Sequence, residues 1–166
     1  MEAFEQQMLP HLGAAFTLAR YLLRDPADAE DAVQEAYLQA LRYFAGFRGE
    51  NARAWLLTIV RRVCYGWLER TRRRPWADPE VLEDLPGAAD DPETAFLHGE
   101  RREQLRRAVD ALPDPFREVI VLREIQELSY QEIATVTGVP VGTVMSRLSR
   151  ARRRLQRVLE AEGIEG

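Results

Sequence analysis

All side-chain positive charge in this 166-residue chain, apart from its two histidines, comes from arginine: there are 23 arginines and no lysine. Every cationic contact is therefore a planar five-donor fork, suited to phosphate oxygens and base edges. A GC-rich genome accounts for the preference without changing its physical result. Other reactive groups are few: one cysteine, Cys64, and two histidines, His11 and His98. Arg61 and Arg62 beside Cys64 could lower its pKa, but neither histidine is placed in sequence to serve as its base. The expectation is a buried structural thiol. One cysteine excludes an intramolecular disulfide, and three dispersed His and Cys residues do not have zinc-site spacing. There is no Gly-rich phosphate loop and no nucleophile elbow. No catalytic residue, metal or cofactor is expected, and the chain reads as a non-enzyme.

The formal net charge of −4 argues against nucleic acid until it is resolved along the chain. Residues 51–75 hold 7 arginines against Glu69 alone, and residues 129–157 hold 6 against Glu132 alone. Between them, residues 76–100 carry 8 acids and no arginine. Two basic segments flank an acidic one, and this asymmetry says more about partners than the total does. The stretch 76–94, with Pro79, Pro86, Gly87 and Pro92, reads as a flexible acidic linker extended by self-repulsion. The alternative is a surface loop inside one domain. The linker reading divides the chain into a domain over 1–75 and another over 95–166.

Both halves have helical periodicity, and no alternating strand pattern competes with it. Helices are expected over about Met8–Leu23, over 28–45 with Asp25-Pro26 as its start, and over about Ala52–Arg73. The last carries Trp55, Ile59, Val63 and Trp67 as one apolar stripe. Another helix is expected over Glu93–Ala111, and a further one from Asp114. The fold class is all-α.

The sharpest local signal lies near the C-terminus. Ser129 with Glu132 three residues on forms a capping box, Gly138 sits where a sharp turn needs a left-handed residue, and a helix follows from Val141 to about Leu159. Its inward stripe is Val144, Leu148, Ala151, Leu155 and Val158 or Leu159. This is a helix-turn-helix pattern whose second helix enters the DNA major groove. Off the buried stripe lie Thr143, Met145, Ser146, Arg147, Ser149 and Arg150, with side chains able to reach bases and phosphates. Arg152, Arg153, Arg154 and Arg157 serve phosphates or simply solvate the helix, and Arg153 joins the candidate DNA-contact set.

These residues resemble a known family. Leu112-Pro113, Phe116-Arg117-Glu118-Val119, Leu128 to Ala134, and Gly142 to Arg152 are similar to the −35-binding domain of bacterial sigma factors, closest to the extracytoplasmic-function (ECF) group of the sigma-70 family. Asp28 to Glu35 and Ala54 to Ile59 are similar to that group's core-polymerase and −10 domain. The resemblance implies a sigma2-like helical bundle and a sigma4-like helix-turn-helix domain joined by the acidic linker, in a promoter-specificity subunit of RNA polymerase. It further implies that the helix bearing Asp28, Asp31, Gln34 and Glu35 binds the clamp coiled coil of the largest subunit, with the flap region as a second contact. On the residues alone, those acids equally complement the helix dipole. The −10 element would be met by Phe47, Arg48, Asn51, Arg53, Arg61, Arg62 and Tyr65, with Phe47, Arg48 and Asn51 on the loop that captures a flipped base in the family. Trp55, Tyr65 and Trp67 offer faces for unstacked bases, although Trp55 and Trp67 share the apolar stripe and are expected to pack. An anti-sigma factor is implied as a partner. Arg62, where many relatives carry asparagine, and Met145, where a basic residue is common, depart from the pattern, so the preferred promoter is not transferable from a relative.

The rival reading is a helix-turn-helix regulator that is not a polymerase subunit. It would need a ligand pocket or receiver in the first half, and no βα alternation suggests one. No run approaches the ~18 apolar residues of a membrane span, and the acidic N-terminus lacks signal-peptide order. The expected location is the cytoplasm, without membrane insertion.

Overall fold

The structure, a computed structural model, describes residues 1–72 and 100–161. The expected linker at 76–94 lies outside the described residues. Within them the chain is helical, without a β-strand. The first half consists of α1 (Glu2–Met8), a 3₁₀ turn (Leu9–His11), α2 (Leu12–Leu23), α3 (Pro26–Tyr43) and α4 (Ala52–Arg72). The second consists of α5 (Glu100–Asp110), α6 (Asp114–Ile120) continued by a π turn (Val121–Ile125), α7 (Tyr130–Thr137) and α8 (Val141–Ala161).

Local chemistry sets the boundaries. Helix α2 stops where Arg24 adopts a left-handed φ of 69°. The next residue, Asp25, caps α3 by accepting from the N–H groups of Ala27 and Asp28, at 2.8 and 3.4 Å, and Pro26 occupies the position that needs no N–H partner. On α3 the buried face is built from Ala29, Ala32, Val33, Ala36 and Ala40. Such small residues let α2 and α4 approach closely, and both pack on α3. The N-terminal helix α1 falls ahead of the expected start at Met8. Its Phe4 and Met8 are buried, Phe4 meets Tyr37 and Phe44 edge-on, and the Tyr37 hydroxyl donates to the Met8 carbonyl at 2.7 Å.

One correction concerns α4. The expected stripe of Trp55, Ile59, Val63 and Trp67 is too narrow, because Leu56, Leu57, Val60 and Cys64 are fully buried as well. Helix α4 is covered twice, by α2 and α3 on one side and by α7 on another, and a helix packed on two sides needs apolar residues over more than one stripe. The two halves consequently share one apolar core. Phe116, Val119, Ile120 and Leu122 of the second half join the same buried cluster as Leu18, Leu22 and Leu57 of the first.

Candidate nucleic-acid interface

In the second half, α7 and α8 form the expected helix-turn-helix. The Ser129 hydroxyl accepts from the Glu132 N–H at 3.0 Å, and a Glu132 carboxylate oxygen accepts from the Ser129 N–H at 2.8 Å. This reciprocal box satisfies two donors at the start of α7. At its other end Gly138 holds φ +73° and donates to the Ala134 carbonyl at 2.9 Å. Helix α8 then begins beside Pro140, whose carbonyl accepts from the Thr143 and Val144 N–H groups.

Burial of Val144, Leu148 and Ala151 turns the rest of α8 outward. Met145, Ser146, Ser149 and Arg153 are exposed, and Thr143, Arg147 and Arg150 are half-buried. All seven candidates thus lie on α8 outside its buried stripe. Arg154 departs from expectation: it is only 8% exposed and packs with the inward face. Its aliphatic stem can line an apolar seam, so it does not belong with the solvating or phosphate-facing arginines. Arg152 is bound to the Glu124 carboxylate at 2.7 and 3.1 Å.

The −10 candidates divide into two groups. Phe47 stacks near Phe44 with ring centroids 5.9 Å apart and meets Trp55 at 4.9 Å, so Trp55 packs as expected and Phe47 is only half-exposed. Arg48 and Arg62 are exposed. Asn51 adopts a left-handed φ of 45° and its side-chain oxygen accepts from the Ala54 N–H at 3.1 Å at the start of α4.

Asn51, Arg53, Arg61 and Tyr65 meet acceptors from the second half. The Asn51 amide donates to Glu132 at 2.8 Å. Arg53 donates to the Gln126 carbonyl at 3.1 Å and lies 3.7 Å from the Glu132 carboxylate. Arg61 forks onto Glu118 at 2.8 and 3.0 Å, and the Tyr65 hydroxyl donates to the same carboxylate at 2.9 Å. The Arg61 guanidinium also lies over the Tyr65 ring, 4.5 Å from its centroid. Burial pulls the Arg61 pKa down, but the bond and charge of Glu118 outweigh it and leave it above the ordinary value. Tyr65 is pushed well above its usual value, by burial first and by the Glu118 charge second. Glu118 enters the sequence reading only as part of a family motif, and nothing in the local sequence of α6 signals its partners 57 and 53 residues away.

Of the polymerase-binding candidates on α3, Asp31 and Gln34 are exposed and Asp28 is half-exposed. Glu35 is committed internally, its carboxylate accepting from the Trp67 indole N–H at 2.9 Å. None of the described helices is long and apolar enough to cross a membrane.

Comparison with known proteins accounts for this arrangement. Residues 8–74 match the family model of sigma-70 region 2, and residues 102–155 match that of sigma-70 region 4. The chain is 33% identical over 167 residues to the RNA polymerase sigma-H factor of Pseudomonas aeruginosa, spanning 95% of this chain and 86% of that protein. It is 37% identical over 147 residues to the ECF RNA polymerase sigma-E factor of Escherichia coli, spanning 83% of this chain and 76% of that protein. Among solved structures, the sigma factor RpoE of Bartonella quintana in complex with the anti-sigma factor NepR superposes with a TM-score of 0.74 at 29% identity, over 96% of this chain and 98% of that one. CnrH in complex with the cytosolic domain of CnrY gives a TM-score of 0.68 at 29% identity, over 96% and 89% of the two chains. With a region 2 helical half, a region 4 helix-turn-helix and relatives of this kind along most of its length, the chain belongs to the ECF sigma factors of the sigma-70 family of RNA polymerase specificity subunits.

Proposed function

We propose that this sigma factor directs initiation through two DNA surfaces with separate tasks, one on each half of the chain. The outer face of α8, with Thr143, Met145, Ser146, Arg147, Ser149, Arg150 and Arg153, reads the −35 element. Phe47, Arg48, Asn51, Arg53, Arg61, Arg62 and Tyr65 meet the −10 element and its opened strand. Asp28, Asp31, Gln34 and Glu35 dock on the clamp coiled coil of the polymerase, with the flap region as the second contact. The domains run over 1–75 and 95–166, joined by the acidic linker at 76–94. An anti-sigma factor is the regulatory partner, a proposal supported by the two complexes whose sigma chains this one resembles. The site of action is the cytoplasm.

No covalent step is required of the protein. A surface that binds the separated strand better than the duplex shifts the equilibrium towards the open form by its differential affinity. Arginine forks neutralise the strand's phosphates, and aromatic faces take unstacked bases. Two modest DNA surfaces gain affinity when polymerase holds both at a set spacing, because the second contact then becomes intramolecular.

The observation carrying this reading is the presence, on one chain and in order, of region 2 and a capped helix-turn-helix of region 4. Co-purification with core RNA polymerase tests it. The full chain is expected to elute with core, and Asp31→Arg with Gln34→Ala to weaken that association. A chain that never associates with core would contradict the reading.

A further inference from the structure

We propose that the cleft between α2 and α5 binds a small diphosphate-bearing anion, held by Arg20 and Arg24 from one wall and by Arg106 from the other. None of these residues belongs to the −10, −35 or clamp-facing sets, so the site stands apart from the promoter role.

The cleft is built from two helices. On α2, Phe16, Thr17, Arg20 and Tyr21 line one wall at the one-turn spacing that aligns side chains along a helix, and Arg24 follows at its left-handed end. On α5, Arg106 and, one turn later, Asp110 line the other. The walls meet where Arg24 donates to the Asp110 carbonyl at 2.6 Å. Between them lies a space of ≈ 320 Å³, within the range of clefts that hold small molecules, about 300–1,000 Å³.

Its charge balance favours an anion. Burial raises the Asp110 pKa, against the pull of Arg117, Arg106, Arg24 and Arg20. Four guanidinium groups thus act on one carboxylate, and Glu103 is the further acid near Tyr21. Arg117 is already engaged, donating to the Leu112 carbonyl at 2.6 Å and to Asp114. Arg20 and Arg106 have neither a hydrogen bond nor an ion pair among the described residues. Arg20 is only half-exposed, and it lies one turn from Arg24, where like charges repel. Surface solvation explains an arginine that points outward, but not three from two helices meeting on one cleft. An anion between them offsets the repulsion and takes the paired N–H bonds with which arginine binds phosphate. A diphosphate offers oxygens on two adjacent centres, so forks from opposite walls can engage it together. Burial first, then the Asp110 charge, keeps Tyr21 above its ordinary pKa, so its hydroxyl remains a donor at neutral pH. Phe16 adds a half-buried ring on the same wall, against which a base carried by the diphosphate can lie. Free pyrophosphate and a nucleoside diphosphate share this chemistry.

The test is calorimetric titration of the full chain in metal-free buffer at physiological salt, with inorganic pyrophosphate in one arm and ADP in the other. One bound anion per chain is expected. Arg20→Gln and Arg106→Gln, one on each wall, are each expected to weaken binding about tenfold. Thr17→Phe, which fills the cleft without changing its charge, is expected to weaken it similarly. Arg42→Gln, at an exposed arginine of α3, is expected to bind as wild type does. Circular dichroism checks each variant, and the variant on one wall carries the test if that on the other unfolds. ADP binding tighter than pyrophosphate identifies a nucleoside diphosphate as the ligand, and ADP binding no tighter identifies the free diphosphate. Absence of binding in both arms would overturn the site. So would binding that the cleft variants leave intact, or that Arg42→Gln weakens as much as they do. Neither arm contains polymerase or DNA, so the sigma assignment stands whichever result is obtained.

Discussion

Cys64 and Glu132 show how position on a helix decides what a reactive group does. Cys64 is fully buried on α4, and its thiol is pushed up to about 12, by burial first and by the Glu35 charge second. Neighbouring Arg61 and Arg62 do not lower it: Arg61 is turned onto Glu118 and Arg62 onto the surface. The thiolate is the nucleophile, so iodoacetamide at pH 8 should leave Cys64 unmodified in the folded protein and label it promptly in denaturant. Equal labelling rates in the two states would contradict the burial. Glu132 is held below its ordinary 4.5 by the Ser129 N–H first, then by Asn51, with a smaller contribution from Arg53. A carboxyl with a depressed folded pKa stabilises the fold above its unfolded value, and that contribution is lost as pH falls through the folded one. Wild type should therefore lose more thermal stability than Glu132→Gln between pH 6 and the acid side of 4.5. Parallel acid limbs for the two proteins would show that these bonds contribute nothing.

At the scale of elements, the helix-turn-helix was legible because its determinants are local. The Ser129–Glu132 box spans three residues, and Gly138 adopts the left-handed turn its position requires. A Cβ at Gly138 would meet no atom within 4 Å, so the cost of Gly138→Ala is conformational rather than steric, about 1 kcal/mol. Urea unfolding should show that loss, and a variant as stable as wild type would contradict it. The start of α3 was equally legible from Asp25-Pro26. Helix α4 exceeds the single stripe its periodicity predicts because its second covering surface, α7, lies far away in sequence, and periodicity reports only that a face is buried, not how many neighbours bury it. The π turn at 121–125 and the burial of Arg154 escaped for a related reason: the sequence there is regular helix, and only packing against other elements selects the departure.

For the whole molecule, the segregation of charge along the chain announced nucleic acid despite a net charge of −4, and motif order announced the family. How the halves meet was not legible. Arg61 and Glu118 are 57 residues apart and Asn51 and Glu132 are 81 apart, and no local pattern links such pairs. The central claim, that this chain gives RNA polymerase its promoter choice, is tested most directly by transcription of a genomic promoter library with core polymerase, with and without the protein. The account predicts new start sites that share −35 and −10 elements at one spacing, lost for the −35 contribution when Arg147 and Arg150 are both replaced by alanine. Start sites identical with and without the protein would contradict it.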